Sequence, residues 1–156
     1  MSLDLRRFSY GTTSALVTGM AVVTGLDAAG GRRASIVAAL LIFGLADNLT
    51  DSLSIHVYQE AEYLERRAAV HATLSNFAAR LLLSLSFVLI VLLATAPVAV
   101  MLAVGWGTGL LVVLTTLLAH RRRVPVLPEI GLHLLLALAV VFASKLVGSS
   151  IAGFFG

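Results

Sequence analysis

The chain has 156 residues, and it contains no cysteine, only three prolines and few charged side chains. The absence of cysteine excludes disulfide bonds, zinc–thiolate sites and catalysis by a thiol. Charged residues make up 12% of the chain, whereas they make up about 25% of a typical soluble domain. The sequence therefore lacks the polar surface that a soluble domain of this length needs.

Apolar residues fill the chain instead, at 59% of the total, and the mean hydropathy is +1.00. A soluble fold of this size cannot bury so much apolar surface, but a lipid bilayer accepts it. The net charge is +3, yet the basic residues come in short doublets and one triplet rather than in the broad patch that binds nucleic acid. Nothing near the N-terminus resembles a cleavable signal peptide. We therefore expect a single transmembrane domain over residues 1–156.

Five apolar stretches predict an all-α bundle of five transmembrane helices. They lie at about residues 10–28, 34–58, 74–93, 98–119 and 130–147. The first stretch is rich in glycine, threonine and serine, which let helices approach closely, so we expect it to face protein more than lipid. The second is expected to continue as a helix beyond the membrane through Arg67.

The loop arginines predict the orientation of these helices. If the N-terminus is cytoplasmic, seven loop arginines lie inside and only Arg32 and Arg33 lie outside. Cytoplasmic loops carry an excess of lysine and arginine. The pattern favours a cytoplasmic N-terminus and an external C-terminus, in the cytoplasmic membrane of a bacterium.

Two aspartates in the second stretch are the main functional signal. Asp47 and Asp51 are four residues apart, so they share one face of a helix. An aspartate at the centre of a membrane costs about 2.5–3.5 kcal/mol, and each leucine, isoleucine, phenylalanine or valine returns about 0.3–0.6 kcal/mol. Ten such apolar residues lie between Ile36 and Ile55. The two aspartates therefore cancel roughly all of that gain, and their polar face must be shielded by protein or line a wet cavity.

Carboxylate and amide oxygens are ligands for hard divalent cations, and they also tolerate ferrous iron. Asp47, Asn48 and Asp51 therefore predict a metal site, and because metal binding displaces protons from such ligands, they also predict proton coupling. One helix supplies too few ligands, so a second helix or a second protomer is required. The alternative is that the aspartates are neutral hydrogen-bonding groups that hold neighbouring helices.

Two motifs carry a resemblance to a known family. The first is YGTTSALVTGM, residues Tyr10–Met20, and the second is GLADNLTDSLS, residues Gly44–Ser54, followed by Gln59 and Glu60. Together with the five spans, they resemble the vacuolar iron transporter family, which includes small bacterial members. The resemblance covers about a third of the chain.

The resemblance implies a homodimer that moves ferrous iron or manganese out of the cytoplasm in exchange for protons. Family members usually carry an aspartate in the first helix, where this chain has Ser14, and a methionine after a serine in the second, where it has Ile55. They also have a glutamate-rich domain after the second helix, which this chain lacks. Asp47 and Asp51 are candidates for relocated ligands.

Further residues have two interpretations each. His56, Glu60 and Glu62, followed by Glu65, form either a cytoplasmic patch that collects metal ions or an ordinary solvated helix end. Met20 is either a soft thioether ligand or a packing residue.

Arg80 lies in an apolar region of the third stretch. It either pairs with an acidic residue such as Asp47 or Asp51, or extends its charged end to the membrane surface.

The sequence thus predicts a proton-coupled transporter of a divalent metal ion. The competing predictions are an assembly protein whose buried aspartates only bind other helices, and a proton-coupled carrier of another small solute. No hydrolytic or redox arrangement is visible, so we expect neither an enzyme nor a bound cofactor.

Overall fold

The computed structural model describes residues 5–61 and 66–155, with side chains for 11–54, 57, 70 and 73–155. These residues form helices and no strand, so the predicted all-α class is confirmed. The helices are α1 (Leu5–Ala28), α2 (Arg33–Ala61), α3 (Arg66–Leu93), α4 (Ala96–Arg122) and α5 (Val126–Phe155).

Four helices are long and apolar enough to cross a membrane within the described part of the chain. Their apolar segments are Arg33–Ser54, Thr73–Leu93, Ala96–Arg122 and Val126–Phe155. Large apolar side chains are exposed along their outer faces, for example Leu135 at 67% and Phe142 at 63%. These are the features of an integral membrane protein. A fifth span and the direction of insertion remain predictions.

Helix α1 occupies the centre of the bundle, because it packs against each of the other four helices. Its Leu16, Met20 and Val23 are almost completely buried. The other helices follow one another around α1 in chain order, and α2 and α5 make no extensive contact between their described residues. The glycines and hydroxyl residues of α1 therefore face protein, as the sequence predicts, and a central helix does not need the apolar surface of a lipid-facing one.

Short connections join neighbouring helices. After α1, Gly30 has a φ of +73°, and the Gly31 N–H donates to the carbonyl oxygen of Leu26 at 2.8 Å. This is the Schellman arrangement, in which glycine takes the left-handed position that ends a helix. The predicted continuation of α2 through Arg67 is wrong, because α3 already begins at Arg66 and runs back along α2.

Candidate functional site

A buried arginine lies at the contact between α2 and α3. Arg80 on α3 has a fully buried side chain, although its helix is one of the four apolar spans. A guanidinium group keeps its charge at any ordinary pH. Burying that charge is tolerable only where oxygen atoms bind the group from several directions.

Three side chains of α2 bind the guanidinium of Arg80. Its Nε donates to Asn48 Oδ1 at 2.7 Å, and its Nη2 donates to Asp47 Oδ2 at 2.5 Å. Its Nη1 donates to Asp51 Oδ2. Of the two interpretations of Arg80, the structure shows the pairing with Asp47 and Asp51. The three predicted metal ligands are therefore brought together, and the group they surround is a guanidinium.

The two carboxylates are less buried than the arginine they bind. The side chain of Asp47 is 42% exposed and that of Asp51 is 31% exposed, against 0% for Arg80. Two carboxylates and one guanidinium leave one net negative charge when all three are ionised. An ionisable cluster inside a membrane domain is a candidate functional site.

A narrow groove between α1 and α2 reaches this cluster. Its polar lining comes from Thr18 on α1, Asp47 and Asn48 on α2, and Ser84 on α3. Asp47 and Asn48 line this partly open groove, whereas Asp51 does not.

The contact between α2 and α3 follows a regular antiparallel register. A Cβ atom added to Gly44 would lie 2.9 Å from the Cβ atom of Ser84, and Asn48 binds Arg80 one turn further along α2. Each step of four residues along α2 is thus matched by four residues back along α3, so the next turn sets Ser52 against Asn76. We call these six residues the α2–α3 seam: Gly44, Asn48, Ser52, Asn76, Arg80 and Ser84.

Several polar atoms of the seam have no hydrogen-bond partner among the described residues. They are Asn48 Nδ2, Ser52 Oγ, Asn76 Nδ2 and Asn76 Oδ1. Asn48, Ser52 and Asn76 are 1%, 5% and 4% exposed, respectively. By contrast, the hydroxyl groups of Thr50 and Ser54, on the outer side of α2, donate to carbonyl oxygens one turn back, both at 2.9 Å.

The structure places Met20 away from this cluster. Met20 is buried against α4, where a Cβ atom added to Gly107 would lie 2.5 Å from its Sδ. The hydroxyl of Thr108 donates weakly to the same sulfur at 3.9 Å. Packing accounts for Met20, whereas a role as a metal ligand stays a prediction without structural support.

The predicted cytoplasmic patch cannot be placed. His56 and Glu60 belong to α2, but their side chains lie outside those described, and Glu62 and Glu65 lie outside the described residues altogether. Within the described part of the chain, no group of three or more histidine, aspartate or glutamate side chains could hold a metal ion. Asp47, Asn48 and Asp51 would need further ligands for a complete shell.

Comparisons of the chain with protein-family models, curated proteins and solved structures gave no match. The resemblance to the vacuolar iron transporters therefore stays an expectation from the two sequence motifs. The site has to be interpreted from its own chemistry.

Sequence reasoning missed Ser52 and did not connect Asn76 with α2. The signal was present, because both seam halves repeat a small or polar residue every four positions. A repeat of four residues on two consecutive helices is the pattern of two faces that can pack together. The register between α2 and α3 also depends on the length of the turn that joins them, and the four-residue repeat does not predict that length.

Proposed function

We propose that the protein is a membrane carrier of a small cation, in which Asp47 and Asp51 bind either Arg80 or the transported ion. The observation that carries the proposal is that both carboxylates end on one buried guanidinium. Arg80 is an internal positive charge in the position that a bound cation would take.

Charge balance supports exchange rather than a permanent clamp. The cluster has one negative charge more than Arg80 neutralises, and both carboxylates are partly exposed. A proton or cation that binds from the groove satisfies this charge, and a divalent ion that binds both carboxylates competes directly with Arg80. Loading the ion and releasing protons are then two sides of one equilibrium.

Ferrous iron and manganese are the ions we propose, with export from a bacterial cytoplasm driven by protons. Carboxylate and amide oxygens suit both ions, and the motifs Tyr10–Met20 and Gly44–Ser54 favour them. A homodimer would supply the missing ligands.

A structural clamp is the second candidate function. Arg80 uses its Nε and both terminal nitrogens on α2, which is what a permanent cross-link between two helices requires. In that case the protein would be an assembly or packing protein, and added metal ions would have no effect.

Ion-dependent thermal unfolding of the purified protein separates the two candidates. The protein in detergent is heated with and without Mn²⁺, and with Fe²⁺ under anaerobic conditions. A ligand present at 100 times its dissociation constant stabilises a protein by about 2.7 kcal/mol, so we expect a rise in melting temperature.

The matched variants are Asp51→Asn and Asp27→Asn. Asp51→Asn still leaves Asp47 to neutralise Arg80, so it should fold but lose the ion effect. Asp27→Asn removes a carboxylate near the end of α1, outside the cluster, and should keep the effect. A folded wild-type protein that responds to neither ion would favour the clamp.

A further inference from the structure

The layer formed by Ser52 and Asn76 has polar groups that the described part of the protein does not satisfy. Both side chains are at least nine-tenths buried, and neither the Ser52 hydroxyl nor the Asn76 amide has a hydrogen-bond partner among the described residues. In a membrane each unsatisfied buried polar group is costly, because no lipid group can replace the lost hydrogen bond.

The two unsatisfied side chains are next to Arg80. Asn76 precedes Arg80 by one helical turn, and the seam register sets Ser52 against Asn76. A Cβ atom added to Gly11 of α1 would lie 3.0 Å from Arg80 Cδ, and it would also collide with Asn76 Oδ1. Asn76 and the stem of Arg80 therefore pack side by side directly against the backbone of α1 at Gly11.

Together with Asn48 Nδ2, the layer offers two kinds of hydrogen-bonding group. The amide nitrogens of Asn48 and Asn76 donate, the amide oxygen of Asn76 accepts, and the hydroxyl of Ser52 does both. A buried water molecule needs two to four polar partners. Thr24 is another buried hydroxyl without a described partner. It offers no such set of polar groups along its own helix, because the residues one turn away from it, Met20 and Ala28, are apolar.

We propose that the Ser52–Asn76 layer is a hydrated site, in which water contacts the Arg80 network. Only the role of this water, which is to carry protons to and from Asp51, rests on the proposed function. The hydration of the layer can be measured whether or not the protein transports an ion.

The absence of native cysteine makes a thiol experiment clean. Single variants Ser52→Cys and Asn76→Cys are placed in lipid nanodiscs and treated with Ag⁺ in chloride-free nitrate buffer. The silver ion is small and meets a thiol only through water. Free thiols are then counted with a fluorescent maleimide after denaturation, which gives the rate of silver modification.

Two further variants calibrate the rates. Leu16→Cys is a dry control, because Leu16 is 0% exposed and lies on α1 only five residues beyond Gly11. Ser35→Cys, at the exposed start of α2, is the wet control. We expect both seam cysteines to react on the order of tenfold faster than Leu16→Cys, because the reactive thiolate forms only where water is present.

The proposal is overturned if the seam cysteines react as slowly as Leu16→Cys. Having two seam variants guards against one that fails to fold, because each tests the same layer from its own helix. A failure of ion transport in the unsubstituted protein leaves these rates interpretable, so the hydrated site and the proposed function can fail separately.

Discussion

Two helix contacts in this bundle use opposite chemistry. The α2–α3 seam joins its helices through a buried guanidinium that binds the amide of Asn48 and two flanking aspartates. The contact between α1 and α5, by contrast, depends on close backbone approach. A Cβ atom added to Gly25 would lie 3.1 Å from the carbonyl oxygen of Ser144, and one added to Gly148 would collide with the carbonyl oxygen of Gly25.

The two contacts differ in the free energy that burying their groups costs. In a membrane, small residues hold helices together by packing alone, without burying any charge. The contact between α1 and α5 is of this kind, because its glycines allow close packing without a buried charge. Replacing a buried ion pair with apolar residues is often neutral or stabilising, so the ionic seam is not needed for helix packing. The proposed exchange of Arg80 for a transported cation would account for the charge there.

The largest effect should follow the loss of Arg80. Arg80→Met leaves Asp47 and Asp51 without their shared cation. Removing one partner of a fully buried pair costs about 3–5 kcal/mol, and we expect a loss near or below the lower end of that range, because the two carboxylates left are 42% and 31% exposed. We expect a large fall in melting temperature, or loss of folded protein, in detergent. Lys145→Met is the control, because Lys145 is an exposed cation on α5 and should be replaceable at little cost. Equal stability of the two variants would show that the seam does not depend on its charge.

The next largest loss of stability is expected from a substitution at the close contact between α1 and α5. Gly148→Ala places a methyl group against the backbone of Gly25, and overpacking of this kind costs about 1–3 kcal/mol. Thermal unfolding should show the loss, whereas Gly153→Ala on the same helix, with no atom within 4 Å of the added Cβ, should leave stability unchanged or slightly higher. A harmless Gly148→Ala would mean that α1 and α5 lie further apart than the structure shows.

A double-mutant cycle sharpens the ionic side of the comparison. Asp47→Asn and Asp51→Asn should each be mild, because the remaining carboxylate still neutralises Arg80. Together they remove both carboxylates that bind the guanidinium, so the loss in the double variant should exceed the sum of the two single losses by about 0.5–3 kcal/mol. Asp47→Asn combined with Asp27→Asn should be additive. Additive losses in the first pair would argue against a shared guanidinium.

The smallest effect concerns an exposed arginine at the other end of the same helix pair. Arg33 Nη2 donates to the carbonyl oxygen of Ala94 at 2.9 Å, just beyond the C-terminal end of α3. A cation at the end of an exposed helix is worth about 0.3–1 kcal/mol, so Arg33→Gln should lower the melting temperature only slightly, and less so in high salt. A loss as large as that of Arg80→Met would contradict the idea that burial decides the value of each arginine.

Much of the fold could be predicted from the sequence. Hydropathy predicts the helices, and the many small residues of α1 predict that it faces protein, because these properties depend on neighbours along the chain. The sequence left two interpretations of Arg80 open, pairing with an aspartate or extension to the membrane surface. A helix pattern shows which residues share a face of one helix, but it does not show which face of another helix lies opposite.

The candidate site shows the same limit. The sequence identifies Asp47, Asn48 and Asp51 as candidate site residues, because polar side chains in an apolar helix cost free energy on insertion into a membrane. That all three would converge on Arg80 depends on the antiparallel register of α2 and α3. The continuation of α2 through Arg67 was wrong because the run of charge that suggested a long helix extends into the start of α3.

The central claim is that the Arg80 cluster exchanges its internal cation for a transported one. Flux of Mn²⁺ or Fe²⁺ into proteoliposomes across an imposed pH gradient tests it most directly, with wild type compared with Asp47→Asn, Asp51→Asn and the control Asp27→Asn. The account predicts flux that follows the gradient, is lost in both cluster variants and is kept in the control. Flux of the same size in folded Asp51→Asn, or no flux of either ion through folded wild type, would contradict it.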